Sequence, residues 1–278
     1  EHLGNIKPIY ITRERRRQPN DRLTPEETSS LRSLIGELGW PTREGFPEFC
    51  YDVSDLQQRV PEATVSTMIR ASSVLRDLQQ RARKPALRYV RGDGSGRLTV
   101  GLYNDASFDR QPRGGSQQGY IIILGDKDLA MKDEFYASPL AWSSTRIHRV
   151  VRSTLAAEAA ALATGDDAAV YIRAIVCYLL GEWSGKWMTD IAQISQVTWT
   201  DCRSLYDCLH KEGSIPSEKR IALDIYDVRQ FLENDYDALE WCSTNSMIAD
   251  PLTKHIPAAE ATALRSFLET GFLRPTTR

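Results

Sequence analysis

Apolar positions in the first third of the chain recur with helical spacing. Leu31, Leu34, Ile35 and Leu38 fall at i, i+3, i+4 and i+7, one face of a helix. Thr24-Pro25-Glu26-Glu27 stands just before them. This is a capping box with proline at the first helical position, and it predicts a helix from Pro25 to about Gly39. A second helix is predicted over about 64–83, with Val65, Met68, Ile69, Ser72, Leu75 and Leu78 on one side. Residues 1–22 are polar and arginine-rich and are expected to form a mobile tail, so the helical segment spans 23–91.

After the glycine-rich stretch Arg91-Gly92-Asp93-Gly94-Ser95-Gly96, which reads as a linker, the pattern changes. Arg97–Tyr103 alternates apolar with small or polar residues, a strand ending at Asp105. Gly119–Leu124 is a short continuous apolar run, a buried strand, and Ala137–Ser143 reads as a third. The short separation of the first two suits a hairpin better than a helical crossover. Ser153–Thr164 is alanine-rich and helical, with Leu155, Ala159 and Leu162 in register, and a second, largely buried helix is predicted over about 167–182. Gln196–Thr200 is a strand that ends at Asp201. Ser217 is expected to cap a helix bearing Ile221, Ile225, Val228 and Leu232. Leu239–Cys242 is a last strand, followed by Asp250 and a helix from about Pro257 to Thr270 closed by Gly271. The fold class that follows is α/β: a mixed sheet, begun as a meander and continued through helical crossovers, with helices packed on it.

Composition narrows the function. The 278 residues are 41% hydrophobic and 26% charged, the balance of a folded domain rather than a disordered chain. The longest apolar run, Ala168–Trp183, carries Arg173 and Glu182, so no membrane span is expected. The first 20 residues hold four arginines and no apolar core, so no secretory leader is expected; without an initiating methionine the chain reads as a piece of something longer. Five cysteines with no C-x-x-C read as reduced thiols of an intracellular protein. Charge is uneven: residues 1–97 carry a net +4 and residues 98–278 a net −6. A cluster with Arg81, Arg83, Lys84, Arg88 and Arg91 precedes the linker, and Lys219 and Arg220 open a later helix. Each group suits either a solvated helix end or contact with phosphate.

Four carboxylates stand where a site would form. Asp105 and Asp201 each end a predicted strand, and ligands collect at such ends when the strands are parallel neighbours. Glu158 lies on the apolar face of its helix, where an unpaired acid is costly. Asp250 follows the last strand. Like charges about 4 Å apart repel by about 4 kcal/mol at an effective dielectric of about 20. A divalent cation would cancel that repulsion, and hard oxygen ligands suit Mg²⁺ or Mn²⁺. Taken singly, each acid is also what a turn or a helix cap would use.

The strings around these acids are specific. Tyr103-Asn104-Asp105-Ala106-Ser107-Phe108, Gln118–Leu124, Ala141-Trp142-Ser143-Ser144, Ser153–Glu158, Thr200–Leu205, Lys219–Ile225 and Ile248-Ala249-Asp250-Pro251-Leu252-Thr253-Lys254-His255 occur in that order. Together they resemble the ribonuclease H domain of copia-type retrotransposon polyproteins, over about 98–256. Upstream, Leu31–Trp40 and Arg70–Arg76 resemble the segment that joins reverse transcriptase to ribonuclease H in those polyproteins, although Phe46-Pro47-Glu48-Phe49 departs from its pattern. The polymerase catalytic motif is not in this chain, and polymerase activity is not expected of it.

The resemblance implies a five-stranded mixed sheet of order 3-2-1-4-5 over 97–256, with 257–278 a C-terminal helix and tail. It implies hydrolysis of the RNA strand of RNA–DNA hybrids using two Mg²⁺ or Mn²⁺ ions. Asp105 would bridge both ions, Glu158 and Asp201 would hold one and Asp250 the other. Arg83, Lys84, Arg88, Arg91, Lys219 and Arg220 are the candidate nucleic-acid contacts. The partners implied are the hybrid and the reverse transcriptase domain of the same polyprotein, inside the cell, in the cytoplasm, where retroelement particles are one setting, or in the nucleus. The alternative is a catalytically silent or host-adopted remnant that binds nucleic acid or protein. His148, His210 and His255 read as surface or core histidines, and Trp142 and Trp199 as core.

Overall fold

In the computed structural model, Thr24 caps the first long helix as its sequence predicts. Thr24 Oγ1 accepts from the Glu27 amide at 3.2 Å and Glu27 Oε2 accepts from the Thr24 amide at 2.9 Å. The structure describes residues 2–84, 87–92, 98–112, 114–126, 129, 132–211, 219–233, 237–257, 260 and 262–276. The linker glycines at 94 and 96 and the cap expected at Ser217 lie outside these residues.

Two short helices, α1 (His2–Asn5) and α2 (Arg13–Arg16), precede α3 (Pro25–Glu44), α4 (Cys50–Arg59) and α5 (Val65–Arg81). Leu31, Leu34, Leu38, Leu56, Met68, Leu75 and Leu78 close a core of their own between the three longer helices. Within the segment 1–22 expected to be a mobile tail, two described residues are packed into the helical half. Ile6 and Ile11 are buried in that helical core, and Gln79 Nε2 donates to the carbonyls of Leu3 and Ile6 at 2.9 and 3.0 Å. Arg15 bonds both oxygens of Glu27 at 2.9 Å. Two isolated isoleucines among arginines leave no periodic signal, yet each removes apolar surface from water.

The second half builds one sheet from β1 (Leu98–Gln111), β2 (Gly115–Asp126), β3 (Phe135–Arg146), β4 (Ser195–Thr200), β5 (Asp237–Trp241) and β6 (Phe272–Leu273). Its order is β5-β4-β1-β2-β3-β6. β1, β2 and β3 form the antiparallel meander, while β4 pairs parallel to β1 and β5 parallel to β4. The expected mixed α/β class and the 3-2-1-4-5 order are both present. The sheet has six strands rather than five, because Phe272 and Leu273 turn back after the final helix and pair with Tyr136 and Phe135.

Helices pack on both faces. α6 (Thr154–Leu179), α8 (Arg203–His210) and α9 (Lys219–Leu232) cover Val100, Leu102, Ile122 and Leu239. The short α7 (Trp187–Ile191) lies against the end of α6. On the other face, α10 (Ala263–Thr270) and residues 247–252 close over Tyr103, Ile121, Ile123 and Trp199, and Cys50 of α4 joins that core. The Tyr103 and Trp199 rings stack at 4.6 Å between centroids. The two helices expected over 153–182 are one. Gly165 does not break it, because a side chain there would press to 3.1 Å of Leu102, and glycine lets the helix sit close on the sheet.

Candidate active site

β1 and β4 run side by side only as far as Tyr103 and Trp199. β1 then continues with β2 alone, so Asp105 stands where the sheet splits and Asp201 follows directly after β4. The loop after β5 swings back across this opening. Its 3-10 turn Asp250–Leu252 lies on β1 and β2, with Leu252 packed over Gly119, the residue paired with Asp105. A Cβ at 119 would stand 2.5 Å from the Leu252 Cβ, so the approach requires glycine.

Carboxylate oxygens of Asp105, Asp201 and Asp250 lie within 4.8 Å of one another. Glu158, from the second turn of α6, is not part of that trio but adjoins it. It is buried, its carboxylate accepts from the Ala106 amide, and its Oε2 has no hydrogen-bond partner among the described residues. Burial holds the Glu158 carboxyl well above the ordinary range, with the Asp105 charge adding to the effect. Asp105 is pushed up to about 7, first by burial and then by Asp250. Burial also raises Asp250, against the opposing pull of the Lys254 ammonium.

Residues that the sequence did not single out orient these acids. The Thr253 hydroxyl donates to the Asp105 carboxylate, and Ser107 Oγ holds the Thr253 carbonyl at 3.0 Å. Lys254 Nζ pairs with Asp250 Oδ2 at 2.6 Å. Thr244 Oγ1 donates to Asp201 Oδ2 at 2.8 Å, and Trp241 Nε1 donates to the Asp201 carbonyl at 3.1 Å. Thr253 and Lys254 belong to the string that ends the resemblance, which was the available signal. Thr244 carried none.

The six basic candidates are all exposed. Arg83 and Lys84 are exposed just after α5. Arg88 and Arg91 are exposed on a segment whose Val90 amide donates to Ser138 Oγ at 3.0 Å. Ser138 aligns through Leu124 with Val100, five residues before Asp105. At about 3.3 Å per residue this is about 16 Å along the sheet from the acid. Arg81, in contrast, is consumed in a buried pair with Glu48 at 2.8 Å. Lys219 and Arg220 are exposed in the first turn of α9.

The donor set fits a divalent cation. It combines three converging carboxylates, a buried fourth with an orphaned oxygen, and hard oxygen ligands only. All five cysteines are free, and among the described residues no helix is long and apolar enough to cross a membrane.

No protein-family model matches the chain, and no curated protein matches it. Among solved structures, it is similar to RNase H1 of the halophilic archaeon Halobacterium salinarum NRC-1, at 16% identity over 60% of this chain and 98% of that one, with a TM-score of 0.38. It is similar to LC11-RNase H1, isolated from compost, in complex with RNA/DNA hybrid, at 13% identity over 56% of this chain and 94% of that one, TM-score 0.35. It is also similar to the foamy viral protease-reverse transcriptase in complex with RNA/DNA hybrid, at 14% identity, TM-score 0.40, over 90% of this chain and 29% of that one.

Proposed function

We propose that this chain is a metal-dependent endonuclease of the ribonuclease H type, which hydrolyses the RNA strand of RNA–DNA hybrids within a copia-type retroelement polyprotein. The observation that carries the reading is the meeting of Asp105, Asp201 and Asp250 at the split between β1 and β4, with buried Glu158 beside them. Three converging acids and a fourth beside them, with Asp105 and Glu158 more than nine-tenths buried, raise one another's cost of ionisation without stabilising the fold. Such crowding makes sense as a cation site.

Asp105, Glu158, Asp201 and Asp250 would hold two Mg²⁺ or Mn²⁺ ions, which when bound supply Lewis-acid stabilisation at the phosphate and a more acidic water. The chain's own residues prepare the place. Thr253, Thr244 and Lys254 fix three of the carboxylates in orientation, and the packing of Leu252 on Gly119 closes the floor against solvent. RNA would be distinguished from DNA by polar contacts to its 2′-hydroxyls.

The unit over 97–256 would carry the chemistry, with 23–91 as the connection-like segment, 1–22 its N-terminal extension and 257–278 the closing helix and tail. Arg83, Lys84, Arg88, Arg91, Lys219 and Arg220 are the proposed phosphate contacts, reached by a hybrid that extends beyond the acids. The reverse transcriptase domain of the same polyprotein is the proposed covalent partner, in the cytoplasm or in the nucleus.

The test is incubation of the protein with an end-labelled RNA–DNA hybrid, duplex DNA and duplex RNA, with Mg²⁺, with Mn²⁺ and with chelator. The expected outcome is metal-dependent cleavage of the hybrid's RNA strand, leaving 5′-phosphate and 3′-hydroxyl ends. Equal cleavage of all three duplexes removes hybrid specificity, and no cleavage with either metal removes the nuclease reading.

A further inference from the structure

The loop that carries Asp250 and Thr253 is held from outside the sheet, by α4 of the helical half. Two separate lines of hydrogen bonds reach it. In the first, Gln58 Nε2 donates to Gln117 Oε1 at 2.9 Å, and Gln117 Nε2 donates to Ser54 Oγ at 3.0 Å and to Ser144 Oγ at 2.9 Å. Ser144 Oγ passes the line on by donating to the Leu252 carbonyl at 2.6 Å. Gln117 has no exposed surface, so this line runs through the interior between α4, β2 and β3.

The second line meets the far end of the loop. Asp52 of α4 is 6% exposed, and its Oδ1 lies 2.8 Å from His255 Nδ1. Arg70 of α5 holds the same oxygen at 2.9 Å and also pairs with Asp55. Leu252 is therefore gripped on one side of Thr253 and His255 on the other. Between those grips the Thr253 hydroxyl touches the Asp105 carboxylate and Lys254 touches Asp250. A buried carboxylate fixed by an arginine and aimed at a half-exposed histidine more than 200 positions along the chain is a connection no local sequence requirement explains.

We propose that Asp52, acting through His255, is a positioning residue for the acid loop, so that the helical half sets the placement of Asp250 and Thr253 in the site. The inference rests on the nuclease reading for its effect on cleavage and on geometry alone for its effect on the loop. The histidine touches no proposed substrate or reacting atom. Its removal loosens the hold on neighbouring acids without removing any of them. A shift of a reacting group by a fraction of an ångström costs rate rather than substrate affinity.

The experiment compares the full chain with His255→Ala, His255→Gln and Asp52→Asn by two readouts. The first is kcat and KM on the hybrid. The second is hydrogen exchange of the Leu252 and Thr253 amides, which bond the Ala249 and Asp250 carbonyls at 2.8 and 3.1 Å. His255→Ala is expected to lower kcat about tenfold with KM within about twofold, and to speed exchange at both amides. Its melting temperature should move little, because the His255 side chain is 54% exposed. His255→Gln, which keeps an N–H donor, should restore most of both effects. Asp52→Asn combined with His255→Ala should be no worse in either readout than Asp52→Asn alone, because the Asp52 variant already weakens the His255 contact along with the Arg70 pair. Unchanged exchange in His255→Ala overturns the proposal, and so does faster exchange with kcat intact. Should the wild type cleave nothing, the nuclease reading fails while the exchange comparison still decides whether Asp52 and His255 hold the loop.

Discussion

Asp166 sits in the helix that carries Glu158, eight positions further on, and its carboxyl is 3% exposed. Gln196 Nε2 of β4 donates to it, while Arg173 of the same helix is committed to Asp237 at 3.0 Å. Burial pushes Asp166 up to about 7 from an ordinary 3.8. An acid whose folded value is raised keeps in the native state a proton that the unfolded chain gives up. Its contribution to stability is fully present below pH 3.8 and is lost as pH rises to about 7. Three units at about 1.4 kcal/mol each make the loss about 4 kcal/mol, or about 10 °C of melting temperature for a chain of this length. Asp166→Asn is isosteric, never ionises and still accepts from Gln196. It should therefore match the wild type near pH 4, gain on it steadily to pH 7 and keep a constant lead above. Urea denaturation at closely spaced pH values, in chelator, reads this difference directly. Other raised acids titrate in the same range, but they are common to both proteins and cancel. Parallel stability curves for the two proteins between pH 4 and 8 would mean that Asp166 ionises in the folded protein as it does in the unfolded chain.

Three further outcomes follow from the site. Millimolar Mg²⁺ or Mn²⁺ should raise the melting temperature of the wild type, by about 3 kcal/mol of stabilisation at a hundredfold excess over the dissociation constant; calorimetry should find the rise gone in Asp105→Asn. Gly119→Ala drives a methyl into Leu252 and should cost about 1–3 kcal/mol in denaturant titrations while displacing the acid loop. Thr253→Val deprives the buried Asp105 carboxylate of its hydroxyl donor and should lower kcat about tenfold, and Thr253→Ser should recover most of it; equal rates for all three proteins would show the hydroxyl idle.

Much of the sheet was legible because β1, β2 and β4 each carry a short apolar or alternating stretch, and Asp201 directly follows one of them. Asp105 could be placed although β1 runs six residues past it, since pairing with β4 stops at Tyr103 and the acid follows that break. What sequence pattern missed has physical causes. α4 escaped notice because its ten residues bury Asp52 and Asp55, which read as solvent residues until Arg70 and Arg59 are seen beside them. The two helices expected over 153–164 and about 167–182 left Gly165 and Asp166 between them, yet the glycine seats α6 on Leu102 and Asp166 is buried against Gln196. Two-residue β6 is defined by its partner β3 and not by its own composition. Of the four acids that position in the sequence marked, the fold brings Asp105, Asp201 and Asp250 together, with Glu158 adjoining them. Thr244 and His255 act across long stretches of chain, on Asp201 and Asp52, and no local pattern encodes such a pairing.

If the acids gathered at the split of β1 and β4 perform hybrid hydrolysis, their removal must abolish it. The most direct measurement is the single-turnover rate of RNA-strand cleavage in Mg²⁺ for wild type, Asp105→Asn, Asp201→Asn and the exposed-acid control Asp133→Asn, with hybrid affinity measured alongside. Removing one charge from a site that stabilises developing charge costs several kcal/mol, so both site variants should lose at least about a thousandfold in rate. Their hybrid affinity should be kept, and the control should cleave like wild type. Cleavage by Asp105→Asn at the wild-type rate would contradict the account.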